Sequence, residues 1–458
     1  MRPQALAKAL CALWLTLSSP ALGQNEPEAV QLQLNQAREV ALNALRSGQP
    51  RLAFALSDGL LEADPTDGHA LYIKAKALGQ MQEFDEGRKT AALAYNAAST
   101  DLQHYESATL AAQLSFAGQR MTHSQVWLRR AAHHAPDETL RNASIIAFRE
   151  VRNQNPFNVQ LSFSVSPSDN VNNGSNSPRN IIDGVPVPGI LSLSAQAISG
   201  WTATLNMQGS YRFRETETSQ TRVVARAFLY QVDFNNPVPG LSASDLSSER
   251  LQLGLAHIWS PSETGFWRFD VNGGRTWYGG DPFYDFVSAS AQRVQKLDDN
   301  WRLSFGGAVE HQLDQTQPSF DATVWFGLAG LTYAFEGGST LGISARYREI
   351  VTDSVTRASQ QWTGVVRYTH GRRIGPAEIS VSLGHSTVDY DDYIIPFVTP
   401  VPGRTDDSWF GEVTATLKSA SYMGFVPVVS LRSEQSRSNI SRFDVDQTGV
   451  TVGIRSEF

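Results

Sequence analysis

Cysteine is almost absent from the 458-residue chain: Cys11 is the only one. It lies in an N-terminal segment expected to be removed, which would leave no thiol, as suits an exported protein. Charge is also sparse, with 18% charged residues against 41% hydrophobic ones, and the mean hydropathy is −0.27. Those values exclude a disordered acidic chain and a helical membrane protein. Beyond the N-terminal segment no uninterrupted apolar run reaches the ~20 residues that a spanning helix needs. Entry into a membrane would therefore require a barrel. No basic run is interleaved with aromatics. The formal charge is −7, nearer about −9 once Arg2 and Lys8 are removed, and this argues against a nucleic-acid partner. Walker, dinucleotide-binding and HExxH motifs are missing too, so no catalytic residue, cofactor-binding residue or metal ligand is expected, and no cofactor.

What is present begins with MRPQALAKALCALWLTLSSPALG. Arg2 and Lys8 precede an apolar stretch from Ala9 to Leu17, and small residues follow at Ala21-Leu22-Gly23, the pattern of a cleaved secretory signal. Cys11 lacks the small residues that a lipoprotein signal wants before its cysteine. The chain divides as 1–23 signal peptide, 24–154 helical domain and 155–458 barrel.

The division at Asn155-Pro156 is a change of period. Before it, apolar residues recur at three and four positions and alanine is abundant, which predicts helix after helix. Gly48, Ala53, Leu60, Asp64 and Pro65 fit the later positions of a tetratricopeptide repeat of about 34 residues. In that repeat a small residue lets two helices touch, and proline ends the second helix. Leu71, Ala75, Leu78, Phe84, Gly87, Ala91 and Ala94 continue in phase. Met121, Leu128, Ala131 and Pro136 supply a third unit, with a small insertion, and a last helix runs from about Asp137 to Arg152. A plain helical bundle is the alternative.

After Asn155-Pro156 the period is two, and about fourteen strands of nine to fifteen residues can be laid out. In the first, Phe157, Val159, Leu161, Phe163 and Val165 oppose Asn158, Gln160, Ser162 and Ser164. WTATLNMQGSYRF repeats the pattern from Trp201 to Phe213. Such strands are longer than the usual five or six residues and long enough to cross a bilayer at a tilt. Trp201, Trp259, Trp267, Trp277, Trp301, Trp362 and Trp409 fall near predicted strand ends, where interfacial belts would lie; Trp325 is the exception. Long connections (NNGSNSPRNIIDGVPVPGILSLSAQ, NNPVPGLSASD, YDDYIIPFVTPVPGRTDD) alternate with short ones (SPSET, KLDDN, EGGS, SASYM). That asymmetry belongs to outer-membrane barrels and puts the helical domain on the short-turn, periplasmic side. The expected fold is therefore α plus transmembrane β: an N-terminal tetratricopeptide-like α-solenoid followed by an antiparallel outer-membrane β-barrel of about fourteen strands.

The wet face of the strands carries both signs: Arg212, Arg214, Arg268, Arg346, Arg348, Arg367, Glu310, Glu378 and Glu412. They read either as cross-strand ion pairs that stiffen a lumen wall or as a polar conduit for a polymer. Gly273-Gly274 and Gly337-Gly338 read as turn or lumen glycines. Asp391-Asp392 and Asp406-Asp407 are expected in a long outer loop, solvated or holding a divalent cation shared with lipopolysaccharide. His133-His134 point different ways on a helix and read as surface. His385-Ser386 raise the idea of an outer-membrane hydrolase, but neighbours on a strand face opposite sides.

A secreted helical-repeat domain feeding directly into such a barrel, through the join NPFNVQLSFSVSPSDNVNNGS (155–175), resembles the surface lipoprotein assembly modifier family, the translocons of type XI secretion. The resemblance implies a non-enzymatic outer-membrane protein that moves client proteins, surface lipoproteins or soluble haemophore-like effectors, from periplasm to cell surface. The repeats would engage the client and the barrel would form the passage, with no ATP site. The alternative is an exopolysaccharide export porin, which pairs longer repeat arrays with a barrel. Partners would be the client, the barrel-assembly machinery, and outer-membrane lipid with lipopolysaccharide; a monomer is expected. The final segment QTGVTVGIRSEF resembles the signal read by that machinery, with Phe458 last and Val450, Val452 and Ile454 on the lipid-facing register; Ser456 stands where an aromatic or aliphatic residue is common.

Overall fold

A computed structural model describes residues 34–394 and 403–456. The expected signal segment with Cys11, and Phe458, lie outside the described residues.

Seven helices come first: α1 (Leu34–Arg46), α2 (Pro50–Ala63), α3 (Gly68–Gln80), α4 (Phe84–Asn96), α5 (Asp101–Ala117), α6 (Met121–His134) and α7 (Glu138–Gln154). Their starts are written locally. Pro50 opens α2, where its missing N–H costs nothing. Asp67 accepts from the His69 and Ala70 amides, and Asp137 from the Leu140 amide, satisfying donors that the helix leaves open. Each helix packs on its sequence neighbours, and α1 also touches α3, and α3 touches α5, which is the stacking of a solenoid.

Small residues set the spacing. Ala53, Ala75, Ala91 and Ala131 are fully buried. A Cβ on Gly87 would sit 3.2 Å from the Ala75 carbonyl and 3.1 Å from a Leu114 methyl. Gly48, by contrast, does not serve helix contact. It is in the α1–α2 turn at φ +71 with nothing near its would-be Cβ; Gln82 (φ 65) and Gln119 (φ 60) occupy the same turn in the next two units. The insertion expected in the third unit is a longer α5, 17 residues against 13 in α3.

The remaining chain is sheet. The barrel strands are β1 (Phe157–Ser168), β4 (Gly200–Glu215), β5 (Ser219–Phe234), β6 (Ser248–Ser262), β7 (Gly265–Tyr278), β8 (Asp281–Lys296), β9 (Trp301–Asp314), β10 (Ala322–Ala334), β11 (Thr340–Thr352), β12 (Ser359–Thr369), β13 (Glu378–Tyr390), β14 (Arg404–Thr416), β15 (Phe425–Ser438) and β16 (Val445–Ser456). A small hairpin, β2 (Asn180–Ile182) and β3 (Val185–Val187), lies inside the first long connection. Fourteen strands form one closed antiparallel barrel of 11 to 16 residues each. Closure comes from β16 against β1, pairing Phe163 with Ile454 and Val165 with Val452, so no sheet edge is left open.

Cross-strand register carries one face around the whole ring. Val159, Met207, Leu253, Val271, Val287, Phe305, Ile343, Leu383, Val413, Leu431 and Val452 are exposed on the outside. Their neighbours Ser210, Val224, Asp270, Phe286, Glu310, Val324, Ser382 and Asp406 are buried on the inside. An apolar exterior around a polar interior is the membrane pattern, the reverse of a soluble core.

Aromatics gird the exterior at two levels. Near the helical end stand Tyr211, Trp259, Trp267, Trp301 and Tyr333; near the far end stand Trp201, Trp277, Trp325, Tyr347, Trp362 and Trp409. Two expectations need correction. Trp325 is no exception, being the fourth residue of β10 just as Trp362 is the fourth of β12. Trp409 is mid-strand, the sixth residue of β14. That strand begins above the apolar band, with outward Asp407 opposite Arg437 before Trp409 meets the apolar Val413 level. For the same reason Asp406-Asp407 belong to β14 and not to a loop; Asp391-Asp392 do lie in the connection after β13.

The long connections 169–199 and 235–247 sit at the far end, where β13 also ends and β14 begins. The β7–β8 turn there is only Gly279-Gly280, both at positive φ (64 and 88), the requirement of a two-residue hairpin. The first long connection is tied sideways to the β15–β16 loop: the Ile181 amide donates to Ser441 Oγ at 2.7 Å and the Asp183 amide to the Asn439 carbonyl at 2.8 Å.

Candidate functional site

The interior of the barrel carries charged residues of both signs down to its mouth at the helical end. Arg212, Arg222, Arg226, Arg250, Arg268, Arg302, Arg346, Arg348, Arg367, Arg404, Arg432 and Arg455 share the inner register with Asp270, Glu310, Asp314, Glu378, Asp406, Glu412 and Glu434. Arginine therefore exceeds carboxylate on the inner face of the described strands, although the chain as a whole is acidic. Arg214 is not among them: the register shifts between Arg212 and Arg214, which turns Arg214 to the outer face opposite Thr221.

Part of this charge is internally satisfied. Arg268 forks onto Asp270 at 2.7 and 2.8 Å. Arg250 reaches Glu310 at 2.6 Å and lies over the Phe286 ring, 3.5 Å from its centroid. Glu378 pairs with Lys418, and Glu412 is 3.8 Å from Arg432. Arg346, Arg348 and Arg367 differ. They rise along β11 and β12 opposite Thr363, Gln361 and Gly342, and no ion pair holds them among the described residues.

At the helical end the chain makes a clasp. Asn155 is buried; its Nδ2 donates to Thr122 Oγ1 at 3.1 Å and Gln125 Oε1 at 2.8 Å, while its Oδ1 accepts from the Phe157 amide at 3.0 Å. One side chain thus joins α6, the end of α7 and the start of β1. Arg212 reinforces it by donating from Nη2 to the Asn153 and Gln154 carbonyls, both at 2.9 Å. Charged donors on the open carbonyls of a helix end are favourable twice, by hydrogen bond and by dipole. Across the mouth, His133 of α6 stands edge-on to Tyr422 at 4.7 Å, and Arg129 lies over Phe425 at 5.6 Å. The last helices are therefore anchored on both sides of the opening.

Between them and the wall is a cavity of ≈ 650 Å³. Thr122, Gln125, Val126 and Arg129 of α6 and Phe148 and Arg152 of α7 face Asn158, Gln160, Asn206, Gln208, Arg226, Arg250 and Arg455 of the barrel. No carboxylate is in its lining among the described residues. Burial, and then the charge of Arg152, lower the Arg129 guanidinium from its ordinary value. The cavity is a vestibule: one wall is the repeat domain and the other the inner wall of the barrel. The sequence reading missed Arg129, Arg152, Arg226, Arg250 and Arg455. The alternation of β5, β6 and β16 held a signal for the last three; nothing in the helical period told that Arg129 and Arg152 converge on the join.

The other candidates fall elsewhere. Val450, Val452 and Ile454 lie on the outer face of β16. His385 is also outward, with Nε2 2.8 Å from Asp407 Oδ2 and its ring against Trp409. Ser386 is inward, accepting from Gln361 Nε2 at 3.0 Å. The two form no nucleophile pair. His134 hydrogen-bonds Asp101 and stacks on His104, a grouping that the surface reading of His133-His134 did not foresee.

No protein-family model and no curated protein matches this chain. Solved structures match in parts. The helical domain is similar to the type III secretion translocator chaperone SycD of Yersinia enterocolitica, at 14% identity over 26% of this chain and 84% of that one, with a TM-score of 0.25. The barrel is similar to a bacterial polysaccharide outer membrane secretin, at 11% identity over 66% and 98%, TM-score 0.36. It is also similar to OprB of Pseudomonas putida, at 9% over 68% and 96%, TM-score 0.38.

Proposed function

We propose that this protein is an outer-membrane translocon in which the helical repeats engage a client protein in the periplasm and pass it into the barrel for delivery to the cell surface. The observation that carries the reading is the shared vestibule: a chain leaving the repeat domain beside α6 and α7 is already against the lumen wall. The apolar band between two aromatic girdles supports a membrane position. Long connections confined to the end away from the helices support a periplasmic helical domain. The client class, a surface lipoprotein or soluble haemophore-like effector, follows from the resemblance to the surface lipoprotein assembly modifier family and is part of the proposal. So are the barrel-assembly machinery as partner through Val450, Val452, Ile454 and Phe458, contact with lipopolysaccharide, and a monomeric state.

Deleting the gene and comparing surface-shaved with whole-cell proteomes tests this. The expected result is at least one protein lost from the surface while its cellular amount persists; unchanged display of every surface protein would sink the reading. The arginine excess on the inner wall favours one competing role, export of an anionic polysaccharide. In that case the deletion strain would lose extracellular carboxylated polymer and keep its surface proteins.

A further inference from the structure

We propose that Asp101, His104 and His134 form a binding site for one first-row divalent metal ion, with Zn²⁺ as the test species. The site lies outside the passage, and its test stands whether or not the translocon reading does.

The helices bring the three together. Thr100 caps α5 by accepting from the Gln103 amide, so Asp101 is the first helical residue and His104 lies on the same face one turn later. His134 ends α6, and α6 packs against α5, which returns its ring over the first turn of α5. One ligand atom from each residue lies within 4.8 Å of the others. Tetrahedral Zn²⁺ with bonds of about 2.0–2.1 Å separates its ligand atoms by roughly 3.3 Å, so binding requires the two stacked rings to rotate toward a common point and the His134–Asp101 hydrogen bond to give way to the ion.

One imidazole is already set by the backbone. His104 Nδ1 is 2.9 Å from the Thr100 carbonyl; a carbonyl only accepts, so this nitrogen carries the proton and Nε2 keeps a free lone pair. That is how a metal-binding histidine is commonly set, through a hydrogen bond from its other nitrogen. His134 Nδ1 is 2.9 Å from Asp101 Oδ1, and the two histidine rings stack at 4.5 Å. Tyr95 meets both edge-on, at 4.9 and 5.7 Å, walling one side and leaving Asp101 toward solvent. Two nitrogens and one carboxylate select Zn²⁺-like ions over Ca²⁺ and Mg²⁺, which require more oxygen ligands. The adjacent His133 touches Tyr422 of the barrel, so a bound ion would fix α5 to α6 directly beside the mouth.

The test uses tag-free full-length protein in detergent, stripped with chelator and titrated calorimetrically with ZnCl₂, with Co²⁺ absorption as a second readout. The expected result is one equivalent bound at micromolar or tighter affinity with a tetrahedral Co²⁺ spectrum. His104→Gln and His134→Gln should each weaken it by about tenfold or more. His133→Gln should bind as the parent does, and Ca²⁺ should not compete. No saturable binding below about 1 mM, or undiminished binding by both His104→Gln and His134→Gln proteins with parental circular dichroism, would overturn the proposal.

Discussion

The two halves of this chain bury opposite things. In the helical domain Ala53, Ala75, Ala91 and Ala131 are fully buried and Asp67 is the one charged residue buried among the described helices, so stability comes from removing small apolar surfaces from water. In the barrel Leu253 is 61% and Val287 62% exposed, while Asp270, Glu310 and Asp406 are buried. The same hydrophobic effect acts in both, but the solvent outside the barrel wall is lipid. A polar substitution should therefore have opposite consequences at outward and inward positions of one strand, and a bulky one should be felt most where helices touch.

The largest expected effect is on the barrel exterior. Leu253→Arg places a charge in mid-band and should cost about 2–4 kcal/mol of folding into bilayers, whereas Gln252→Glu, one residue away on the inner face and opposite Arg226, should be nearly neutral. Refolding into liposomes, read by heat-modifiable migration on gels, checks both; equal losses would break the inside-outside assignment.

Next comes the helical packing. Gly87→Val drives a side chain into the Ala75 carbonyl and Leu114 and should destabilise the repeats by roughly 1–3 kcal/mol. The helical melting transition should fall while the barrel remains heat-modifiable, and a joint loss would show that the halves are not separately stable.

The clasp between them is tested by Arg212→Ala. It removes two charge-assisted hydrogen bonds to the end of α7, expected to be worth about 1.5–3 kcal/mol if most of their strength is retained at this half-buried site. The readout is faster proteolysis in 153–157 with both domains intact. The smallest effect should be a gain: Gln82→Gly at φ 65 relieves left-handed backbone in a non-glycine residue and should raise the helical melt by an amount equivalent to about 1 kcal/mol.

Much of this architecture was legible as period. Alternation in Phe157–Val165 and Trp201–Phe213 told strand length and facing because cross-strand pairing conserves face around a closed ring. The change at Asn155-Pro156, where a proline and a change of period coincide, falls between the end of α7 at Gln154 and the start of β1 at Phe157. What alternation did not tell is where strands stop. Arg404–Asp407 are polar on both faces, as loop residues are, and only pairing with β13 and β15 extends β14 through them. The bulge at Arg212–Arg214 likewise breaks a two-residue count that reads straight through it. The role of Gly48 was misread because small residues serve contacts and left-handed turns alike. The vestibule was least legible: its residues come from α6, α7, β1, β4, β5, β6 and β16, and no local pattern links such distant segments.

The central claim is that one cargo travels from the repeat domain into the lumen. Photo-crosslinkers installed singly at Val126, in the vestibule wall of α6, and at Arg348, on the inner face of β11, test it in growing cells. Capture of the same client protein at both positions is the predicted result. Capture at Val126 with none at Arg348, in cells that continue to display the client, would contradict it.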